Sequence, residues 1–465
     1  MNNAEKPFWN KTLRLLWEIW PPGDSKELKD RLHPELSKSD LVILRKKIDA
    51  CLVGRGGEVS ARSRAAELGR AYLRLNNKGK KRFLKLLARE FDVDHDAIKT
   101  TLVRHQQVED PAELQKVIQQ LRKLLEPPRT KLLRQFNELQ EGVKFLVDLR
   151  ADLIPWAKSE PMLQSLDQDV YRLLVSWFDI GFLDLRRITW NTPAAILEKM
   201  IEYEAVHAIS SLRDLKNRLL EDRRCYAFFH PRMLDEPLIF VEVALVNGIS
   251  ENVLDLLDVE APMGDPQKAD TAIFYSISNC QAGLAGVSFG NFLIKRVVAD
   301  LAAKLPNLKT FSTLSPIPGL LNWANSTTDF IELSEQETKA LAIATGQKNP
   351  QTLLQDIILS PNEHPEINIK NELEDVLKHL CARYLLEAKR GQQAYDRVAH
   401  FHLSNGAQIE RINWAGDLSP AGVRQSAGIM VNYLYDLSRI EKNHELYTGQ
   451  GEITASTAVR RLLKK

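Results

Sequence analysis

"TAIFYSISNCQAGLAGVSFGNFLIKRVVADLAAKLPNLKTFSTLS", residues 271 to 315, carries two different apolar periodicities in succession. Thr271 to Ser278 pack aromatic and β-branched side chains into a short span, which predicts a buried strand. Further on, Phe289, Leu293, Val297, Leu301 and Leu305 fall four apart, and Phe292, Ile294 and Val298 widen the stripe. An apolar stripe of that width belongs to a helix docked on a sheet. The segment closes on "NLKTFSTLS", again a buried strand. Strand, loop, helix and strand therefore form one unit.

The loop of that unit is "SNCQAGLAGVSFGNF". Gly283, Gly286 and Gly290 let the backbone come close to a ligand. The helix that follows offers free N–H groups and the positive end of its dipole. The combination suits a pyrophosphate, although glycines in strand–helix loops more often make plain turns. The spacing matches neither the nucleotide P-loop nor the dinucleotide GxGxxG. At the other end, "FSTLSPIPGL" strings Ser312, Thr313 and Ser315 along the exit of a strand, and Pro316 and Pro318 stiffen the backbone there. Two readings stand: serines and prolines start turns, or a hydroxyl is held in one place for a reaction.

Outward from this unit, "DEPLIFVEVAL" (235–245) reads as another buried strand. "SEQETKALAIA" (334–344), "NPQTLLQDIIL" (349–359) and "NELEDVLKHLCARYLLEAK" (371–389) read as a helical insertion. "RVAHFHLSNGAQIERINW" (397–414) reads as two strands joined through Asn405-Gly406, a hairpin signal. His400 and His402 would then share a strand face. The stretch from Ala421 to Tyr447 reads as helical with two early glycines, so Tyr435 is expected on a helix. Before residue 190 the pattern is helix after helix: 63–75, 80–91, 111–128 and 130–156 carry apolar residues at three- and four-residue spacing. Asp110 and Pro111 open the third of these. The fold class is α+β: an all-helical region with antiparallel neighbours, then a sheet with helical insertions.

Composition narrows the function. The 465 residues are enough for two or three domains, and 44% hydrophobic with 27% charged side chains is ordinary for a globular chain. Sixty-three basic and 61 acidic side chains leave a net charge of +2, which gives no basis for nucleic-acid binding. Cys51, Cys225, Cys280 and Cys381 form no CxxC pair, so neither a zinc site nor a disulfide framework is expected. No apolar run reaches about 18 residues, so no membrane partner is expected. "MNNAEKPFWNKTLRLLWEIW" lacks a signal-peptide shape, Glu5 and Glu18 speak against a transit peptide, and "RRLLKK" is no peroxisomal address. A bacterial, cytoplasmic protein is expected.

"AIFYSISNCQAGLAGVSFGNFLIKRVV", "FSTLSPIPG", "FHLSNGAQIERINW", "RRCYAFFHPRM", "EYEAVH" and "VNYLYDL" together resemble the malonyl-CoA decarboxylase family. The likeness runs over roughly residues 187 to 440 and continues more weakly into "GRAYLRL" and "RFLKLLAREF". Several separate blocks in one order make it far more specific than a single motif. The resemblance implies a helical domain over residues 1–186 that acts in homo-oligomerisation. It implies an acyl-CoA-binding catalytic domain over 187–465, with the mixed sheet of the GCN5-type acetyltransferases gripping coenzyme A between splayed strands. The implied reaction turns malonyl-CoA into acetyl-CoA and carbon dioxide without biotin, metal or flavin, coenzyme A being part of the substrate. The family's pyrophosphate loop falls on Ala285, Gly286, Val287, Ser288, Phe289, Gly290 and Asn291. Its catalytic serine and histidine fall on Ser315 and His402, and two supporting hydroxyls on Ser276 and Tyr435.

Two departures stand out. The acetyltransferase loop pattern Q/R-x-x-G-x-G/A would begin here with Cys280, and the acidic residue common after "GV" in animal enzymes is Ser288. The chemistry accounts for the rest. Loss of carbon dioxide leaves an enolate, so fixed donors to the thioester oxygen lower the barrier and an acid must protonate carbon, a task histidine suits near neutral pH. Two other classes remain open: an acyltransferase of the same fold, which needs an acceptor amine and a base, and a non-catalytic CoA-binding scaffold.

Overall fold

The computed structural model describes residues 28, 32–53, 57–287, 290–327, 334–345 and 371–464. The chain divides into two compact units. The first comprises 1–183, 230–234 and 281–287; the second comprises 184–229, 235–280 and 288–465.

The first unit is helical: α1 Lys38–Val53, α2 Gly57–Arg74, α3 Asn77–Glu90, α4 His95–Gln107, α5 Pro111–Leu124, α6 Pro128–Asn137, α7 Gly142–Ala157 and α8 Pro161–Trp177. Asp110 caps α5 through Glu113 N–H, and Pro111 fills the first turn as its spacing predicts. Its core holds Tyr72 edge-on to Phe83 at 5.2 Å and Phe145 at 5.8 Å. Arg129 is fully buried and paired with Asp169 at 2.8 Å and Asp92 at 3.1 Å. The single helix expected over 130–156 is two. Glu141 takes φ 56°, and a Cβ on Gly142 would sit 1.8 Å from the Phe136 carbonyl oxygen. That close crossing breaks the run between α6 and α7.

The second unit carries an eight-stranded sheet: β1 Asp184–Ile188, β2 Arg223–His230, β3 Met233–Val246, β4 Thr271–Asn279, β5 Thr310–Thr313, β6 Ser315–Pro316, β9 Gln408–Asn413 and β10 Met430–Leu434. Between them a two-stranded ribbon joins β7 Lys389–Arg390 to β8 Gln393–Ala394. The order is β1-β2-β3-β4-β5-β10-β6, with β9 on β10. β4 and β5 run parallel, with Thr271 against Thr310 through Phe274 against Thr313. β3 and β4 are antiparallel. The mixed sheet and the strand–loop–helix–strand unit thus appear as expected, with the docked helix at Gly290–Lys304 burying Leu293, Val297 and Leu301.

Beyond the Leu314 N–H bond to the Phe274 carbonyl (3.0 Å), β4 and the chain after β5 part company. β4 continues to Asn279, whereas Ser315 turns to pair with Val431 of β10. This is the splay that the family resemblance implies.

Two expectations are corrected here. Arg397–Ser404 is a helix, not a strand, and Met430–Leu434 is a strand, not part of a helix; separate helices flank that strand at Pro420–Ser426 and Ile440–Gln450. The insertion helices stand at Glu335–Thr345 and Asn371–Leu386, while the helix expected over 349–359, together with Ser288 and Phe289, lies outside the described residues. Among the described residues no helix is long and apolar enough to cross a membrane.

Candidate active site

Ser315 sits where the chain leaves β5 and joins β10, and it is buried. His402 comes from the helix Arg397–Ser404. That helix forms because Asp396 caps it, its Oδ1 accepting from the N–H groups of Val398 and Ala399 at 2.9 Å each. The buried residues Ala399, His402 and Leu403 follow the helical period.

Asn405-Gly406 ends this helix instead of turning a hairpin. Gly406 takes φ +85°. Its N–H bonds to the Leu403 carbonyl at 3.0 Å, and the Ala407 N–H to the His402 carbonyl at 3.1 Å, the paired bonds of a Schellman stop. His402 is thereby pinned through its own backbone.

Ser315 Oγ lies 3.2 Å from His402 Nε2, and His402 Nδ1 lies 2.8 Å from Tyr435 Oη. The Ser315 hydroxyl donates to Thr313 Oγ1 at 2.9 Å. Tyr433 stacks on the imidazole with ring centres 4.5 Å apart and planes 24° apart. Burial pushes His402 down to about 3, so the ring is neutral at pH 7. Burial holds the phenols of Tyr433 and Tyr435 well above their usual range, which keeps both protonated.

The pair opens on a cavity of about 240 Å³ in the splay, lined by Phe274, Ile277, Pro316, Val398 and Phe401. Arg397 stands among its lining residues as well.

Three of the four expected catalytic residues, Ser315, His402 and Tyr435, are thus in one hydrogen-bonded chain. Ser276 is not in it. Its hydroxyl donates to both carboxylate oxygens of Glu204, at 2.9 and 2.8 Å. Next to this pair a buried ion pair joins Arg218 to Glu242 at 3.0 Å, and burial pushes Glu242 up to about 7 against the pull of Arg218.

His400 does not compete with His402. Two residues apart on a helix, the rings point to opposite sides, and His400 bonds Tyr447 Oη at 2.8 Å. Thr313, Tyr433 and Glu204 had no assigned role in the sequence. The signal for Tyr433 is the Ala427-Gly428 pair: Ala427 caps the preceding helix at φ 51°, Gly428 follows at φ +78°, and "MVNYL" is released as a strand.

In the loop, Arg150 donates to the carbonyls of Gly283 and Ala285 at 2.7 and 2.8 Å. A Cβ on Gly283 would lie 1.7 Å from the Val147 carbonyl oxygen, so this glycine answers to packing. Ala285 and Gly286 are exposed, Gly286 with φ +84°, and Val287 is buried. Gly290 and Asn291 open the docked helix.

Comparison with known proteins places this arrangement. Residues 91–178 match the malonyl-CoA decarboxylase N-terminal domain and residues 181–465 the C-terminal domain. The mitochondrial malonyl-CoA decarboxylase of Anser anser anser is 39% identical over 419 residues, covering 86% of this chain and 83% of that protein. The crystal structure of malonyl-CoA decarboxylase from Rhodopseudomonas palustris is 40% identical with a TM-score of 0.80, covering 90% of this chain and 99% of the other. That from Agrobacterium vitis is 40% identical with a TM-score of 0.81, covering 91% and 100%. With both of its domain types matched and identity sustained over most of its length, the chain belongs to the malonyl-CoA decarboxylase family.

Proposed function

We propose that the protein decarboxylates malonyl-CoA to acetyl-CoA and carbon dioxide through a thioester enolate. The observation that carries this reading is the buried Ser315–His402 pair at 3.2 Å, facing an apolar-lined cavity where two parallel strands part. The C–C bond to the carboxylate breaks and its electrons move into the thioester carbonyl. Apolar walls favour that step because a neutral product leaves a charged carboxylate's place. The Ser315 hydroxyl stabilises the developing oxyanion, a contribution of roughly 3 kcal/mol for one good donor. The α-carbon takes one proton from the serine–histidine pair, which regains it from solvent as acetyl-CoA leaves. His402 gives that proton as neutral imidazole rather than imidazolium, because burial keeps it uncharged. An enolate carbon is basic enough to accept it.

Tyr435 supports Nδ1, and Ser276 acts at a distance by anchoring Glu204. Ala285 to Asn291 serve as the pyrophosphate loop, supported by the exposed Ala285–Gly286 backbone and the helix start at Gly290. Residues 1–186 serve in homo-oligomerisation and 187–465 in catalysis. Exposed Val42, Ile43, Leu102 and Val103 in the helical unit support the first of these roles. We place the protein in a bacterial cytoplasm, in keeping with bacterial relatives and four free, buried cysteines.

The test is purified protein with malonyl-CoA alone, acetyl-CoA followed by mass spectrometry, beside Ser315→Ala and His402→Asn. Wild type forms acetyl-CoA, and each variant loses on the order of a hundredfold or more in kcat with little change in thermal stability. Malonyl-CoA bound but unconverted by wild type sinks the decarboxylase reading. Turnover near wild type in Ser315→Ala sinks the assigned role of the serine.

A further inference from the structure

We infer that Thr313 is a positioning residue that sets the direction of the proton chain through Ser315, His402 and Tyr435, and so keeps Ser315 from acting as a nucleophile. The inference rests on the catalytic site proposed above. Thr313 is fully buried and tied to β10 at two points. Its Oγ1 accepts the Tyr433 N–H at 3.1 Å, and its carbonyl accepts Asn432 Nδ2 at 2.7 Å. A β-branched side chain held in this way keeps one rotamer. Its Oγ1 then receives the Ser315 hydroxyl proton at 2.9 Å.

A hydroxyl has one proton. Once Ser315 gives it to Thr313, only lone pairs of Ser315 Oγ face His402 Nε2 at 3.2 Å. Nε2 must then carry the ring's proton. Nδ1 is left as an acceptor, and it meets the protonated phenol of Tyr435 at 2.8 Å. The chain thus runs Tyr435 to His402 to Ser315 to Thr313, each group donating to the next.

In a nucleophilic serine–histidine pair the direction is opposite: the serine donates to an unprotonated Nε2, which takes the proton as the oxygen attacks. Here Nε2 has no free lone pair for that proton. The same residue types are therefore wired for donating hydrogen bonds and a proton to an enolate, and not for forming an acyl-serine. When an oxyanion forms beside Ser315, a charged acceptor outcompetes the neutral Thr313 hydroxyl, and the serine proton swings to it.

The experiment compares wild type with Thr313→Val, which removes the acceptor at equal volume, and Thr313→Ser, which keeps it; Thr313→Ala replaces the valine variant if that one does not fold. Each protein is treated with a fluorophosphonate, and adduct on Ser315 is quantified by peptide mass spectrometry. Steady-state kinetics with malonyl-CoA run in parallel. Ser315 is expected to resist the probe in wild type and Thr313→Ser. In Thr313→Val it is labelled at least tenfold faster, while kcat falls at least tenfold and KM stays within about twofold. Rapid labelling of wild-type Ser315, or Thr313→Val indistinguishable from wild type in both labelling and kcat, overturns the inference. The labelling arm reads the proton direction even if wild type makes no acetyl-CoA, so failure of the decarboxylase reading is separately visible.

Discussion

At the residue scale the decisive quantity is the protonation state of His402. Its ring is stacked on Tyr433, bonded at both nitrogens and shut away from water, and burial takes it from the ordinary 6.5 to about 3. A histidine with that value does not change charge across neutral pH. The pH profile of kcat should therefore lack a histidine limb and stay flat between about pH 6 and 8; a clear inflection near 6.5 that disappears in His402→Asn would show that the ring titrates there. Stability carries the same signature with a fixed sign. Between pH 6.5 and about 3 the unfolded chain binds a proton at this position that the folded chain refuses, so stability is full above that window and falls as pH falls. The contribution is on the order of 5 kcal/mol over the whole window. Thermal midpoints measured from pH 7 down to 4 should drop less steeply for His402→Asn than for wild type. Equal slopes would mean that the buried ring costs nothing on acidification.

At the element scale the helix Arg397–Ser404 delivers the histidine, and its two ends decide where. Asp396 starts it and Gly406 stops it, the Gly406 N–H bonding the Leu403 carbonyl and the Ala407 N–H the His402 carbonyl. Gly406 has no substitute here: φ is +85°, and a Cβ would stand 2.1 Å from the Ile440 carbonyl oxygen. Gly406→Ala should destabilise the protein by about 1–3 kcal/mol and lower kcat with it, because the shifted stop carries His402 off its partners. Unchanged melting and unchanged kcat would contradict this. The same element is where reading the chain by alternation failed. Val398, His400 and His402 alternate with Ala399, Phe401 and Leu403, and an Asn-Gly pair follows. An eight-residue segment fits both periods, and the same dipeptide serves a hairpin or a helix stop. The Asp396 cap was the local feature that distinguished them. Ala427 and Gly428, successive residues at positive φ, play that part for β10 by ending one helix early enough for Tyr433 and Tyr435 to emerge beyond it.

At the scale of the whole molecule, the buried guanidinium groups of Arg129 and Arg218 each sit against two carboxylates. Arg218 joins the helix Leu212–Arg218 to β3 by contacting Glu242 and, at 2.8 Å, Asp214. Removing the cation alone strands a buried carboxylate. Arg218→Met should cost roughly 3–5 kcal/mol, and Glu242→Gln in the same chain should recover part of it. Denaturant unfolding of the single and double variants measures both, and a double variant no more stable than the single one would mean that Glu242 does not bear the stranded charge. Exposed apolar side chains on the helical unit lead to a different expectation: light scattering of the full chain should give a mass above that of one subunit. A monomer at micromolar concentration would remove the oligomerisation role proposed for residues 1–186.

Some of this was determined by the sequence alone. The helical first region, the strand–loop–helix–strand unit at 271–315 and the family itself could be read from apolar periodicity and from ordered blocks of residues, because those signals are local and repeat over many positions. The pairing of Ser315 with His402 could be anticipated only through the resemblance. Tertiary structure alone decided where the stop of that helix sets His402, that Ser276 turns to Glu204, that Gly283 serves packing against Val147, and that the imidazole is neutral. Each of these depends on a partner distant in the chain: Ile440 against Gly406, Glu204 against Ser276, Val147 against Gly283, Tyr433 over His402. Desolvation and close approach arise only when such distant segments meet, and neither leaves a periodic trace in the residues that undergo it.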